Sequence, residues 1–422
     1  MKIFYNFLII PSGRALIFIL TFFNKKLAER EKKWKSTLKE LDSLPQNKKR
    51  VWFHAASMGE FEQAKPVIEN LKENDPKLIV IVSFFSPSGY QNQKNYEYAD
   101  AVVYLPFDAS GNVRLFLTKA DPDVAVFVRY EIWLNYLEEL NNRQVPTTLI
   151  CATIPGKEKP ADSFIAVRYY RHCFNLFDRI FTVGEKHTQY LQSMKINTEI
   201  TTSADTRFDR IIKSVESAAE NPIVPPSYFR RKFVLVAGSS WQPDEEIIIN
   251  AYNSLSEDDK DNIKLVLVPH EPTTANIERL QSALPDSILL SEIESNPENI
   301  NNAEPKHIIV DSIGKLLRLY VVADAAYIGG AFGVGVHSVT EPAGYGIPLI
   351  TGPKFNNSPD AVNLKNSNAL SVIRNSDDFK KKFSELYDNE NTRKAMGEKA
   401  REYVYAGKGV SNDVAEYIKS LL

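Results

Sequence analysis

A chain of 422 residues is too long for one ordinary hydrophobic core, so two domains of roughly 200 residues each are expected. Hydrophobic residues at 43% and charged residues at 25% are ordinary globular values and exclude wholesale disorder. The 51 basic and 53 acidic side chains nearly cancel, which leaves no electrostatic case for nucleic acid as a partner.

Ile3 to Phe23 is mostly apolar but is interrupted by Pro11, Ser12, Gly13 and Arg14. An Arg near a bilayer centre costs ~2.5–3.5 kcal/mol, so a clean transmembrane span is not expected. No small-residue cleavage pattern follows, which argues against a removed signal peptide. Lys25, Lys26, Arg30, Lys32, Lys33 and Lys35 come next and suit anionic headgroups. Residues 1–24 therefore read as an anchor that dips into or lies on the membrane; the alternative is a buried N-terminal helix.

Val51, Trp52 and Phe53 form a short buried strand. Ala55, Ala56, Ser57 and Gly59 leave room for another molecule at its end, and Phe61, Ala64, Ile68 and Leu71 recur at helical spacing. Pro66, costing ~3 kcal/mol inside a regular helix, predicts an irregular or kinked entrance. Glu60 falls at that entrance, where open α/β sheets bind ligands. It has two readings: the partner of Ser57 in a capping box, or a catalytic carboxylate.

Strands KLIVIVSFF, AVVYLPF and DVAVFV alternate with helical stretches, the pattern of a parallel sheet covered on both faces. Asp121-Pro122-Asp123 resembles a DxD metal motif, but the proline makes it a turn. Glu131 lies just beyond DVAVFV, either pairing with Arg129, capping the next helix or serving a site. Strands TTLICAT and RIFTVG follow, and Asp205 to Asp209 closes the first half. Cys151 and Cys173 are the only cysteines and form no CxxC, so they read as buried free thiols in a reducing compartment.

Residues 213–230 hold three prolines and no long apolar pattern, as an interdomain linker does. A second α/β pattern begins at FVLVAGSSWQPDEE, whose Gly-Ser-Ser loop offers backbone N–H groups to a phosphate oxygen. KLVLVPHEP ends a strand at Pro269 and His270. Gly329, Gly330, Gly333 and Gly335 do not make GxGxxG before a helix, so no nicotinamide cofactor is indicated, but glycines at a strand end let a ligand reach the backbone. Glu341, at a helix start, suits two vicinal ribose hydroxyls.

HAASMGE, SFFSPSGY, VRYEIW, TRFD, VPH, DSIGKLLRLY and GVHSVTEPAGYGIPLITGP, in this order along nearly the whole chain, resemble the 3-deoxy-D-manno-octulosonic acid (Kdo) transferases. The resemblance implies an α/β fold of the GT-B class: two doubly wound parallel-sheet domains facing a central cleft, with an N-terminal membrane-associated segment. The segments are the anchor at 1–24, an acceptor domain at 25–212, the linker at 213–230 and a nucleotide-sugar (CMP) domain at 231–422. It implies an inverting glycosyltransferase that moves Kdo from CMP-Kdo to the lipid A precursor (lipid IVA) in lipopolysaccharide synthesis, at the cytoplasmic face of the inner membrane. Glu60 would be the general base, and Glu131 and Arg207 would stabilise the transition state. CMP contacts would fall on Pro269 and His270, on Ile313, Gly314 and Lys315, and on Ser338, Val339, Thr340 and Glu341. The family pattern has Pro-Arg at 269–270, Met-Gly-Glu at 313–315, Asn-Pro-Leu-Glu at 338–341 and more usually a lysine at 207. Backbone contacts would survive these changes, whereas side-chain contacts at 270 and 315 depend on them. With no acidic cluster in view, no metal or other cofactor is expected besides the donor substrate. The rival readings are a GT-B transferase using another nucleotide sugar and a non-catalytic membrane-bound nucleotide-binding module.

Overall fold

The computed structural model describes residues 2–154, 164–229, 232–296 and 304–422, and in it the runs RVWFHA, IVIVSF, AVVY and VAVFV are fully buried strands. Seven parallel strands form the first sheet: β1 (Arg50–Ala55), β2 (Ile79–Phe84), β3 (Ala101–Tyr104), β4 (Val124–Val128), β5 (Thr147–Ala152), β6 (Arg179–Val183) and β7 (Glu199–Ser203). Their spatial order is β3-β2-β1-β4-β5-β6-β7. Alternate residues leave opposite faces of the sheet, so Trp52, Ile81 and Phe127 enter one core while Val51, Phe53 and Val82 enter another. The chain runs outward from β1 to β3 and then returns to β4. The strand order therefore reverses between β1 and β4.

The second sheet comprises β8 (Phe233–Ser240), β9 (Ile263–Pro269), β10 (Ser287–Leu289), β11 (His307–Ile309), β12 (Ala325–Ile328), β13 (Leu349–Thr351) and β14 (Leu370–Val372). Its order is β10-β11-β9-β8-β12-β13-β14, with the reversal between β8 and β12. Two doubly wound α/β units in one chain are the GT-B class. Unit 1 is Met1–Asp209 with Gly409–Leu422, and unit 2 is Arg210–Lys408.

These limits differ from the sequence reading at two places. The helix Val410–Ser420, expected with the second domain, packs Val414, Ala415 and Ile418 into the same core as Phe61, Ala64 and Ile68 of the helix Met58–Asn74. The 213–230 segment opens inside a helix, Arg207–Glu220, because Phe208, Ile212, Val215 and Ala218 recur every three or four residues and are buried. The expected limit at 230/231 lies outside the described residues. Pro66 causes no break either: Met58–Asn74 is one helix, with Pro66 buried beside Val67 and Ile68. The apolar burial around it offsets the lost backbone hydrogen bond.

The N-terminal stretch is also continuous. Lys2–Phe23, 22 residues, is long and apolar enough to cross a membrane: its 18-residue apolar stretch has a mean hydropathy of 1.8 and is 11% buried. A π-helical turn at Tyr5–Ile9 precedes Pro11, which then sits at the start of the helix Ile10–Phe23, where its missing N–H costs little. A narrow seam docks this helix on unit 1: Tyr5 and Ile10 enter the core, Asn6 and Asn135 exchange hydrogen bonds, and Gly13 lies against the Phe107 ring. Arg30, expected at headgroups, is buried instead. It stacks over Phe85 at 4.0 Å and donates to Leu105 O at 2.7 Å.

Asp108 anchors that seam, accepting from Tyr5 Oη at 2.7 Å and from the N–H groups of Asn135 and Tyr136 at 3.1 Å. Burial outweighs these bonds and pushes its carboxyl up from 3.8 to about 7. A carboxyl whose folded pKa is raised holds its proton more tightly folded than unfolded, so stability falls as pH rises between those values. The melting temperature should drop across that window, and Asp108→Asn should flatten the slope. A wild-type slope in the variant would remove Asp108 as its source.

Candidate active site

Open parallel sheets form sites where the strand order reverses, because the helices leaving the two strands on either side diverge and open a crevice at the strand ends. In unit 1 these strands are β1 and β4. Glu60 stands five residues after the end of β1 and Glu131 three after the end of β4, and both are buried. The two carboxylates named from the sequence therefore flank one crevice.

Glu60 Oε2 accepts from Ser57 N at 2.9 Å, so the capping box is real. It engages that oxygen and is compatible with a base at the same residue. Burial raises the Glu60 pKa, and the Glu131 charge raises it further; the Ser57 N–H and His54 oppose the rise. A carboxylate with a raised pKa is a better proton acceptor. Among the described residues, no atom beyond its chain neighbours and its own helix backbone comes within 4 Å of where a Gly59 Cβ would stand.

Glu131 does neither of the structural jobs considered for it. The chain turns at Arg129, whose φ of 71° is left-handed, and Arg129 faces the Tyr130 ring and Thr153. Trp133 Nε1 donates to Glu131 Oε2 at 2.7 Å, and His54 Nε2 lies 3.5 Å from the same oxygen. Arg207 donates to Asp205 through Nε at 3.0 Å and a terminal nitrogen at 2.7 Å, and Gln63 donates to Asp205 at 2.8 Å. Gln63 is one turn beyond Glu60, so Arg207 is tied to the helix that carries the proposed base. His54, Trp133, Gln63 and Asp205 were missed in the sequence. Only His54 left a signal there, as the polar residue inside a buried strand.

Asp121-Pro122-Asp123 joins the helix Ser110–Ala120, which Asp121 ends in a left-handed conformation, to β4 at the other end of the sheet, where Asp123 accepts from Arg50 N at 2.8 Å. Among the described residues no group of three or more His, Cys, Asp or Glu could hold a metal. Cys151 and Cys173 are buried and free.

In unit 2 the CMP candidates gather at the C-terminal strand edge. Pro269 ends β9, and His270 stacks between Trp241 and His337 with ring centres 4.7 and 4.6 Å away. Burial and neighbouring His270 lower the His337 pKa, with Asp244 opposing. Ile313 is exposed, Gly314 adopts φ 82°, and Lys315 pairs with Glu294 at 2.5 Å. Ser338 and Thr340 hydroxyls lie 3.4 Å apart, and Val339 is buried. Burial raises the Glu341 pKa, and its charge reaches Tyr320 and Tyr345.

Two expectations about loop geometry fail here. Gly-Ser-Ser is not a loop: it completes β8, with Ser239 at φ 51° where the register shifts. Beside it the N–H groups of Trp241 and Gly330 donate to Asp244 at 2.9 and 3.0 Å. Gly329 is required because a Cβ would strike Ser239 O, and Gly330 because a Cβ would strike Gly335 O. The space those glycines leave is filled by the protein's own backbone.

The family model of 3-deoxy-D-manno-octulosonic-acid transferase (kdotransferase) matches residues 26–210. The 3-deoxy-D-manno-octulosonic acid transferase of Haemophilus influenzae is 22% identical over 390 residues, 88% of this chain and 87% of the relative. That of Chlamydophila psittaci is 25% identical, covering 85% of this chain and 82% of the relative. Among solved structures, the UDP-GlcNAc 2-epimerase of Neisseria meningitidis matches 88% of this chain and 100% of its own with a TM-score of 0.59 at 13% identity, a likeness of fold alone.

Proposed function

We propose that this chain, a glycosyltransferase that belongs to the 3-deoxy-D-manno-octulosonic-acid (Kdo) transferase family, moves Kdo from CMP-Kdo to a lipid A precursor such as lipid IVA in lipopolysaccharide synthesis. The observation that carries the reading is the pair Glu60 and Glu131 flanking the β1/β4 reversal, with the Glu60 pKa raised. An acceptor hydroxyl attacks the anomeric carbon from the face opposite CMP; the new C–O bond forms as the bond to the phosphate oxygen breaks, and the electron pair leaves with CMP. Glu60 takes the hydroxyl proton. Glu131 faces the positive charge of an oxocarbenium-like transition state, and Arg207 faces negative charge developing on the leaving group.

Unit 2 is assigned the nucleotide, held by the backbone at 269–270 and 313–315 and by 338–341, with Glu341 on the ribose hydroxyls. The apolar helix Lys2–Phe23 and the lysines after it are assigned to an anionic membrane surface, at the cytoplasmic face of the inner membrane where the donor is available. The test is purified protein with CMP-Kdo and a tetra-acylated lipid A precursor, read by mass. A lipid heavier by one or more Kdo residues is expected. Turnover with a UDP-sugar instead, or CMP binding without any turnover, would overturn the reading.

A further inference from the structure

We propose that His54 is a positioning residue for the transfer, carrying its ring proton on Nε2 and directing it to Oε2 of Glu131. His54 is the polar residue at the inner end of β1, fully buried, paired in register with Ser83 of β2 and Phe127 of β4. Its ring is boxed by Trp52, Phe127 and Trp133, with centres 6.3, 5.8 and 6.1 Å away. It therefore has no rotameric freedom to find partners elsewhere.

The groups around the ring favour one place for its proton. An indole N–H only donates, and Trp52 Nε1 gives its proton to Ser83 Oγ at 2.8 Å. Ser83 Oγ lies 2.9 Å from His54 Nδ1, and the one proton the hydroxyl owns is available for that nitrogen. With Nδ1 accepting from that hydroxyl, the ring proton sits on Nε2, on the side of Glu131. The other tautomer would donate from Nδ1 to Ser83 O at 3.1 Å. It would also leave the bare Nε2 lone pair facing the Glu131 carboxylate at 3.5 Å, two buried acceptors opposed. Nε2 makes no hydrogen bond among the described residues, so Glu131 is the group it can serve.

His54 and Trp133 thus approach the same Glu131 oxygen from two sides. Trp133 holds the carboxylate by its hydrogen bond, and the Nε2 proton placed here adds an attraction to the same oxygen. Trp52, Ser83 and His54 form a chain running from the core to Glu131.

The role of Glu131 comes from the transfer reading above, so the first measurement does not use activity. In ¹⁵N-histidine NMR of the full chain, the His54 signal, assigned by its loss in His54→Gln, should show Nε2 protonated and Nδ1 accepting. An Nδ1–H tautomer overturns the proposal even if Kdo transfer is confirmed. The second measurement compares two variants. Gln carries an amide N–H₂ near the place of Nε2, whereas Asn ends near Nδ1. His54→Asn should lose roughly 10- to 100-fold in kcat at unchanged KM for CMP-Kdo, the scale found for partners that orient a functional side chain. His54→Gln should recover most of it. A folded His54→Asn with wild-type kcat, or a folded His54→Gln as impaired as Asn, overturns the proposal; if Asn does not fold, the tautomer decides.

Discussion

Glu60→Gln is expected to lower turnover by at least ~10²-fold while leaving the melting curve near wild type. Gln is the same size, and its amide oxygen can still accept from Ser57 N, so the cap at the start of Met58–Asn74 survives. The basic carboxylate does not survive, and an amide cannot take a proton from an attacking hydroxyl. The same reasoning sets the pH dependence. Glu60 works ionised, and burial and Glu131 raise its pKa, so the acid-side fall of kcat/KM should lie at a higher pH than an ordinary glutamate would give. That acid limb should vanish from the residual activity of the variant. Near-normal turnover with an unchanged melting curve would return Glu60 to capping alone.

The second large effect is expected at the N-terminal helix. Phe7, Phe22 and Phe23 are 80, 72 and 83% exposed and lie off the seam that docks the helix, so changing all three to Ser should leave folding intact. Fully burying such a side chain gives ~1.5–3 kcal/mol, so three together exceed ~4 kcal/mol, about a thousandfold in partition between water and lipid. The triple variant should stay in solution when anionic liposomes are sedimented, while the wild type goes down with them. Co-sedimentation of the variant at the wild-type level would show that these rings do not face lipid. Deleting residues 1–24 is a poorer test, since it strips Tyr5 from Asp108 and Ile10 from the core.

The places where sequence and structure part have a common cause. Pro11 and Pro66 were read as breaks, yet both sit in helices, one after a π turn and the other in a buried stretch. At Pro66 local propensity lost to packing, whereas at Pro11 the π turn accommodates the proline. Gly329 and Gly330 were read among glycines that leave room for a ligand, and at these two the room belongs to β8 and to the loop's own backbone. Arg30 was read as a surface charge, and its guanidinium is buried over Phe85.

What the sequence by itself determined is the alternation of buried strands and helices, and with it the placing of Glu60 and Glu131 just past strand ends. In a β-then-α order a residue following a strand must emerge at the C-terminal edge whatever the rest of the chain does. Only the tertiary structure decided that β1 and β4 are neighbours, that His54 meets Ser83 and Glu131, and that Val410–Ser420 joins unit 1. Those pairings join residues far apart in the chain, and they are selected by the burial of whole faces at once. No local periodicity records them.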